Sequence, residues 1–387
     1  MKSRTLLALT ASAMALPGLT SQARADAAPT ESIASYRVST YQEDDLPLAH
    51  RLAGSRERYD IDVQQVRLLL PVGETYSLTL NSSYESMSGA SPWYAIRRID
   101  GSAGIVMSGA TISEQRRDLN ISGRKYLENG TLGANLAVSH ENDYDSMSGG
   151  FDAERHFNDN LTTLAAGLSY SSDEIDPSDA ELFNRVTDES KHSESVFMSV
   201  SHILNQTSVI QTGLNITHLS GYLSDPYKLN DRRPDSRTQT AWTTSWRKYL
   251  AGADAALHAD YRYFHDSFGI NSHTIDLNWY QNIGASLQFI PGLRYYTQTE
   301  ADFFTPTLNF AVTLPLQATD YRLSNYGAVS GSLKLQWQVQ DFTLSLSAER
   351  YHANSDYAIN HGAISDGTQS PALVSFNRYS FGLDFQF

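Results

Sequence analysis

The chain has 387 residues, no cysteine and a formal net charge of −14. An acidic chain lacks the basic surface that nucleic acids and acidic phospholipids attract, so we expect neither as a main partner. Without cysteine it can form no disulfide, no C-x-x-C motif and no covalent haem attachment. Composition does not separate a soluble protein from a membrane barrel, because 41% of the residues are hydrophobic and the mean hydropathy is −0.38.

The N-terminus has the three parts of a cleaved secretory signal. Lys2 and Arg4 supply positive charge, an apolar stretch follows, and Ala23-Arg24-Ala25 has the small-x-small pattern of a cleavage site. An uncleaved anchor helix is the alternative, but the apolar stretch is too short and contains a Pro-Gly pair. We therefore predict export, with a signal peptide over 1–25 and a mature chain over 26–387.

Beyond the signal, apolar and polar residues alternate with a period of two, which predicts β-strands with one apolar face. The alternating segments are about 10–13 residues long, which suits a tilted crossing of a bilayer better than the globular norm of about 5–6. Aromatic residues gather near strand ends on the apolar face, as in interfacial girdles. The predicted strands are 33–43, 58–70, 75–86, 112–127, 131–142, 149–157, 162–172, 190–203, 207–220, 237–249, 253–264, 272–281, 287–296, 326–339, 342–352 and 375–387.

Tight turns alternate with longer polar loops along the chain. In outer-membrane barrels the short turns face the periplasm and the long loops face outside. The sequence therefore predicts an all-β fold, a transmembrane antiparallel up-and-down β-barrel of about 16 strands with both termini in the periplasm. The segment 297–325 is the least secure, because Thr307 to Leu314 also alternates and an added hairpin would give about 18 strands.

The last strand carries its apolar face to the end of the chain. Every second residue is apolar, namely Tyr379, Phe381, Leu383, Phe385 and Phe387. This pattern resembles the signal read by the barrel-assembly machinery, which we therefore expect as a partner. An ordinary terminal strand is the alternative, but it would not need an apolar face up to the last residue. We predict a location in the outer membrane of a Gram-negative bacterium, in contact with its lipid and lipopolysaccharide.

One phrase recurs along the chain. Tyr84-Glu85-Ser86-Met87-Ser88-Gly89 returns as Tyr144-Asp145-Ser146-Met147-Ser148-Gly149. Duplicated hairpins that kept a turn at the barrel rim explain the repeat without a function, and we favour this interpretation. The functional alternative is a paired rim site in which Glu85 and Asp145 bind a cation or a partner.

Several phrases resemble an uncharacterised family of bacterial outer-membrane proteins, a "domain of unknown function" family. They include Glu57 to Asp62, Tyr84 to Trp93, Arg233-Pro234-Asp235-Ser236-Arg237 and Asp260 to Asp266. The resemblance covers the mature chain and implies the barrel but no activity. The family's neighbouring genes for flavin-transferring enzymes and small lipoproteins imply an envelope redox or metal-handling complex, with a periplasmic or lipoprotein partner.

Charged residues on the polar strand faces are candidates for setting the selectivity of a lumen. They are His258, Asp260, Arg262, Asp276 and Arg294. Such residues usually form a solvated wall or cross-strand pairs that shape the field of a pore. A sharper hypothesis is a local cluster in which Arg262 and Arg294 face Asp260 and Asp276.

His265, Asp266 and His273 surround a short outer loop and are candidates for a rim binding site. Imidazole and carboxylate groups at close range can bind a transition metal or polarise water. Their spacing matches no metal template, however, and 11 histidines in a chain of this length bring some together by chance. The sequence also lacks H-E-x-x-H, G-x-S-x-G and Walker motifs. We therefore predict no enzyme and no cofactor.

Two functional hypotheses remain, and an enzymatic barrel is a third and weaker one. The first is a porin-like channel or transport protein for small polar solutes. The second is a non-conducting barrel that scaffolds an envelope redox or metal-handling complex. A plugged lumen, with 297–325 or 87–111 folded inward, would favour the second hypothesis.

Overall fold

The computed structural model describes residues 27–109, 112–312, 314–359 and 370–387. The predicted signal peptide, residues 1–25, lies outside them. No helix within the described residues is long and apolar enough to cross a membrane.

Nearly all regular structure in the described residues is β-strand. A short helix covers Ala180–Phe183, and three 3-10 turns cover Ala251–Ala253, Tyr321–Leu323 and Ser355–Tyr357. The strands are β1 (Ile33–Glu43), β2 (Arg51–Ala53), β3 (Asp60–Val72), β4 (Tyr76–Gly89), β5 (Pro92–Arg97), β6 (Ala103–Met107), β7 (Ile112–Leu127), β8 (Gly130–His140), β9 (Tyr144–Phe157), β10 (Thr162–Ile175), β11 (Glu189–Asn205), β12 (Ser208–Gly221), β13 (Ser236–Leu250), β14 (Ala255–Asp266), β15 (Asn271–Ile283), β16 (Leu287–Gln298), β17 (Tyr326–Val339), β18 (Phe342–Asn354) and β19 (Ser375–Gln386).

Sixteen of these strands close into one antiparallel barrel, and the short strands β2, β5 and β6 form a separate sheet. Each barrel strand pairs with its neighbours along the chain, and β19 closes the ring on β1, with Ser39 opposite Ser380. This confirms the predicted all-β up-and-down barrel and its count. The alternative of 18 strands is wrong, because Leu308 in the alternating stretch forms a bridge to Ile96 of another loop and does not join the wall.

The register turns the apolar residues outward. Leu333 and Leu335 of β17 lie opposite Ala348 and Leu346 of β18. In the isolated chain Leu333 is 54% exposed and Leu335 is 43% exposed. Similar side chains are exposed on nearly every barrel strand. The result is a continuous apolar belt far larger than a soluble monomer exposes.

The inner face is polar and solvated. Arg294 on β16 and Arg378 on β19 point inward, yet 51% and 56% of their side chains are exposed. An inward charge that is half exposed is in contact with water inside the ring. The lumen at this level is therefore a water-filled space, as expected for a ring of about 16 strands.

The two ends of the barrel differ. One end carries turns of two to four residues, such as 128–129 and 158–161. The other end, here the loop end, carries eight connections that we name L1 to L8 in chain order. They are L1 (44–59), L2 (90–111), L3 (141–143), L4 (176–188), L5 (222–235), L6 (267–270), L7 (299–325) and L8 (355–374).

Candidate functional site: a capped lumen

Three loops meet above the lumen, and we call L2, L5 and L7 together the cap. L2 joins β4 to β7, L5 joins β12 to β13, and L7 joins β16 to β17. Not counting these six strands, four strands of the ring lie between L2 and L5, two between L5 and L7, and four between L7 and L2. A ring of this size is roughly 30 Å across, given strand spacing of about 4.8 Å and a tilt of about 40°. Loops rooted on nearly opposite walls can touch only if they extend over the mouth.

The cap is joined by backbone hydrogen bonds. The amide of Leu308 in L7 donates to the carbonyl of Ala95 in L2 over 2.7 Å. Arg232 in L5 and Gln317 in L7 exchange two such bonds, of 2.8 and 2.9 Å, as in an antiparallel sheet. Lys228 Nζ of L5 donates to the carbonyl of Pro92 in L2 over 2.9 Å. Each pair of cap loops is therefore directly connected.

A buried carboxylate lies at the junction of L5 and L7. Asp320 is 1% exposed and accepts hydrogen bonds from Arg233 Nη2 at 3.0 Å and Arg322 Nε at 2.9 Å. Burial alone would raise the pKa of the Asp320 carboxyl, but Arg322, Lys228 and Arg233 hold it well below its usual range. Asp320 is therefore ionised. Arg322 of the same loop compensates part of its charge, and Arg233 of L5 compensates it only while L5 and L7 stay together.

Both arginines are shared with a second carboxylate. Arg233 binds Asp231 through two hydrogen bonds of 2.7 and 2.9 Å, and Arg322 Nη2 lies 3.2 Å from Asp225. Lys228 lies near enough to interact electrostatically with Asp320, so the cluster comprises three carboxylates and three cations and has no net charge. Balanced buried charges are tolerated, whereas an unmatched one is costly.

Two small apolar clusters support the cap from below. One contains Ala90, Ala95, Ile105 and Met107 of L2 and its sheet, with Leu46 of L1 and Ala372 of L8. The other contains Phe268 and Ile270 next to Ala301, Phe303, Ala318 and Leu323 of L7. The loops therefore have hydrophobic cores of their own, which a freely moving loop lacks.

L1 contacts both L8 and L7 beside the cap. Arg58 of L1 pairs with Glu43 over 2.7 Å and donates to the carbonyl of Ala372 in L8 over 3.0 Å. Its guanidinium lies 5.3 Å from the ring centre of Tyr321 in L7. Burial lowers the pKa of Arg58, but Glu43, Tyr321 and Tyr41 together outweigh it and the pKa is raised, so this side chain stays charged.

The structure brings only part of the predicted lumen cluster together. Arg294 pairs with Asp276 over 2.8 Å across β15 and β16, as the sharper hypothesis required. Asp260 pairs instead with Arg247 of β13 over 2.7 Å. Sequence reasoning missed Arg247, although it lies on the alternating polar face of its strand.

The other two predicted lumen residues have different surroundings. The ring of His258 lies 4.1 Å from that of Tyr280. Arg262 lies 5.3 Å from the ring centre of Phe264, and its Nε has no hydrogen-bond partner. Within the described residues no carboxylate lies within ion-pair distance of Arg262.

The three rim residues near L6 are not brought together. Asp266 points inward, where it is 1% exposed and pairs with Arg237. His265 and His273 lie on the outer face, and His273 hydrogen-bonds to Tyr261 over 2.8 Å. The expectation of a shared rim site is therefore wrong for this trio, because adjacent strand residues point to opposite faces. Among the described residues no three histidine, aspartate or glutamate side chains are grouped to hold a metal ion.

The repeated phrase does not form a paired site either. Glu85 points into the lumen and is 6% exposed, whereas Asp145 lies on the outer face beside His140. Gly89 has φ +123°, and a Cβ there would lie 2.0 Å from the carbonyl oxygen of Arg58, while Gly149 has neither constraint. The two copies thus sit in opposite registers, so the alternative of a paired site formed by Glu85 and Asp145 is wrong.

The cap residues could not be selected from the sequence, but some lie in phrases it singled out. Arg233 and Arg237 both belong to the stretch Arg233 to Arg237, and both enter buried ion pairs. Arg58 and Asp266 also belong to such stretches. The available signal was therefore family resemblance and not spacing.

Comparisons with known proteins agree with this architecture. The model of a family described as "Protein of unknown function (DUF3570)" matches residues 6–380. No curated protein sequence matches the chain.

Solved structures share the fold. A bacterial polysaccharide outer membrane secretin is similar with a TM-score of 0.53 and 9% identity, over 92% of this chain and 98% of that one. CdiB from Acinetobacter baumannii is similar with a TM-score of 0.51 and 9% identity, over 92% of this chain. The chain spans 60% of the length of CdiB. At such identities the likeness shows a barrel fold of the outer-membrane type and nothing about activity.

Proposed function

The chain belongs to this family of unknown function, and we propose that it is an outer-membrane transport barrel whose cap gates a water-filled lumen for small polar solutes. Its membership confirms the resemblance seen in the sequence. One observation carries the proposal, namely that L2, L5 and L7 meet across a mouth whose inner wall below is solvated.

The proposal assigns the barrel to the outer membrane of a Gram-negative bacterium. The outward apolar belt needs an apolar surrounding, and a closed sheet leaves no unpaired backbone edge inside a bilayer. Short turns face the periplasm in such barrels, which orients the cap outward, toward lipopolysaccharide. The terminal residues Tyr379 to Phe387 keep their apolar side outward, which supports delivery by the barrel-assembly machinery.

Selectivity follows from the lumen wall. The pairs Arg294–Asp276 and Arg247–Asp260 place alternating charges on neighbouring strands, and such charges bias diffusion of polar solutes. The proposal assigns no catalytic step to the protein. A role in a redox or metal-handling complex, with a periplasmic or lipoprotein partner, is a separate proposal. It comes from the family resemblance alone, and no contact described above favours it.

A disulfide staple across the cap tests the gate. Arg232 and Gln317 are a hydrogen-bonded antiparallel pair, whose Cα atoms are typically about 5.5 Å apart, inside the disulfide range of about 4.4–6.8 Å. Because the natural chain has no cysteine, a double variant with Arg232→Cys and Gln317→Cys would contain one disulfide. Its single-channel conductance is measured in planar bilayers before and after addition of a reductant.

We expect the oxidised double variant to stay in its low-conductance state and the reduced form to open as the natural chain does. The reduced protein is its own matched control, since only one covalent bond differs. Steady, full-size conductance in both redox states would overturn the cap as the gate. Silence in both states, with the barrel folded, would overturn transport and favour a non-conducting scaffold.

A further inference from the structure

An arc of aromatic side chains lines the inner wall beneath the cap. It contains one residue from each of five neighbouring strands, in the order Tyr296, Tyr326, Tyr351, Phe376 and Tyr41. Each of these side chains is partly buried and keeps a minor part of its surface accessible. An aromatic surface inside a solvated space is unusual, because apolar residues on barrel strands otherwise face outward.

The rings of the arc are in mutual contact. Ring centres lie 5.7 Å apart for Tyr296 and Tyr326, 4.6 Å for Tyr351 and Phe376, and 4.5 Å for Phe376 and Tyr41. The hydroxyl groups of Tyr296 and Tyr351 lie close enough to that of Tyr326 to interact with it electrostatically. The arc is therefore a preorganised surface, and stacking on it costs little side-chain entropy.

Arg262 stands at one end of the arc. In the register it lies in line with Thr274 of β15 and then Tyr296 of β16, so about 10 Å separates its Cα from that of Tyr296. On its other side Thr243 is its direct partner on β13. The two neighbours are small hydroxyl side chains that offer Arg262 no charge of their own.

Arg262 also lacks the compensation that other arginines of this wall have. Arg237, Arg247 and Arg294 each pair with an aspartate, whereas within the described residues Arg262 has no carboxylate partner and its buried Nε donates to nothing. A guanidinium presents a planar fork of donors that matches a carboxylate. Phe264, against which it stacks, also packs against the apolar cluster of L7.

We propose that this wall binds an organic anion in which a carboxylate is attached to a flat or apolar-faced ring. Arg262 binds the carboxylate, and the aromatic arc from Tyr296 stacks on the ring. The ligand is an aromatic acid or a uronic-acid sugar, since both join these two features. That such an acid is the transported solute rests on the proposed transport function.

The test measures binding to detergent-solubilised, folded barrel by ligand-observed NMR, which does not require the cap to open. The probes are benzoate and galacturonate, and their matched neutral controls are benzyl alcohol and galactose. We expect at least one acid to bind with a Kd on the order of 1 mM and its neutral analogue to bind about tenfold more weakly, because a charge-assisted bond is lost. The acid that binds identifies which of the two sources the site prefers.

A charge variant locates the site. Arg262→Gln should weaken acid binding about tenfold, while Arg67→Gln, which removes an exposed inward arginine from β3, should leave it unchanged. Equal binding by acids and neutral analogues, no binding by either acid, or equal effects of the two substitutions would overturn the inference. If Arg262→Gln does not fold, the comparison of acids with neutral analogues on the natural chain still decides.

This result is separable from the proposed function. A barrel that binds acids but never conducts retains the site and loses the transport role. A barrel that conducts but binds neither acid retains the transport role and loses the site.

Discussion

The buried carboxylate of Asp320 offers the most direct way to unlock the cap. Asp320→Asn keeps the size of the side chain but removes its negative charge. Arg233, Arg322 and Lys228 would then face only Asp231 and Asp225, so the buried cluster would carry one excess positive charge. Removing one partner of a buried ion pair typically costs about 3–5 kcal/mol.

The part of that free energy carried by Arg233 acts on the closed cap, because the contact of Asp320 with Arg233 joins L7 to L5, whereas Arg322 belongs to L7 itself. At about 1.4 kcal/mol per factor of ten, the equilibrium between closed and open cap should shift by at most roughly two to nearly four orders of magnitude. In planar bilayers we expect the natural chain to be mostly in a low-conductance state. Asp320→Asn should be mostly open under the same voltage and salt.

Asp44→Asn is the matched control for this substitution. Asp44 pairs with Arg350 over 2.5 Å, but both side chains are nearly half exposed. Exposed pairs typically contribute about 0–1 kcal/mol, so the open probability should change little. The reasoning is refuted if Asp320→Asn behaves like Asp44→Asn while both proteins migrate as folded barrels.

Three further outcomes follow from the structure. Burial raises the pKa of the Glu141 carboxyl from 4.5 to about 8. Between these two values the folded chain binds a proton that the unfolded chain has lost, so the melting temperature should fall from about pH 5 to about pH 8, and the fall should be smaller in Glu141→Gln. Arg237→Ala leaves Asp266 buried without its partner and should cost about 3–5 kcal/mol, whereas Arg350→Ala should cost less than about 1 kcal/mol in the same heat-resistance assay on gels. Phe387→Ala should lower the amount of barrel assembled in cells while refolding in detergent proceeds normally, and equal losses in both would instead indicate a stability effect.

The sequence determined the barrel because the relevant information is local. Successive side chains of a strand point to opposite faces, so the alternation of apolar and polar residues in a segment such as 342–352 predicts which of them face outward. Turn and loop lengths then ordered the strands, and the predicted bounds of most strands fall within a few residues of the observed ones. Even the opposite faces of His265 and Asp266 follow from that rule, since His265 continues the outward row of Tyr261 and Tyr263.

Only the tertiary structure decided what closes the lumen. Asp320 and Arg233 are far apart in the chain, and neither loop has a periodicity that predicts its partner. Tyr84 and Tyr144 occupy equal places in one repeated phrase, yet Tyr84 faces outward while Tyr144 points inward and hydrogen-bonds to Asp173. The phrase fixes the local residues, but the register of the surrounding strands fixes the face. Charge pairing and register arise only when folding brings distant chain segments together. A sequence pattern can therefore single out residues without predicting their partners or the face on which they lie.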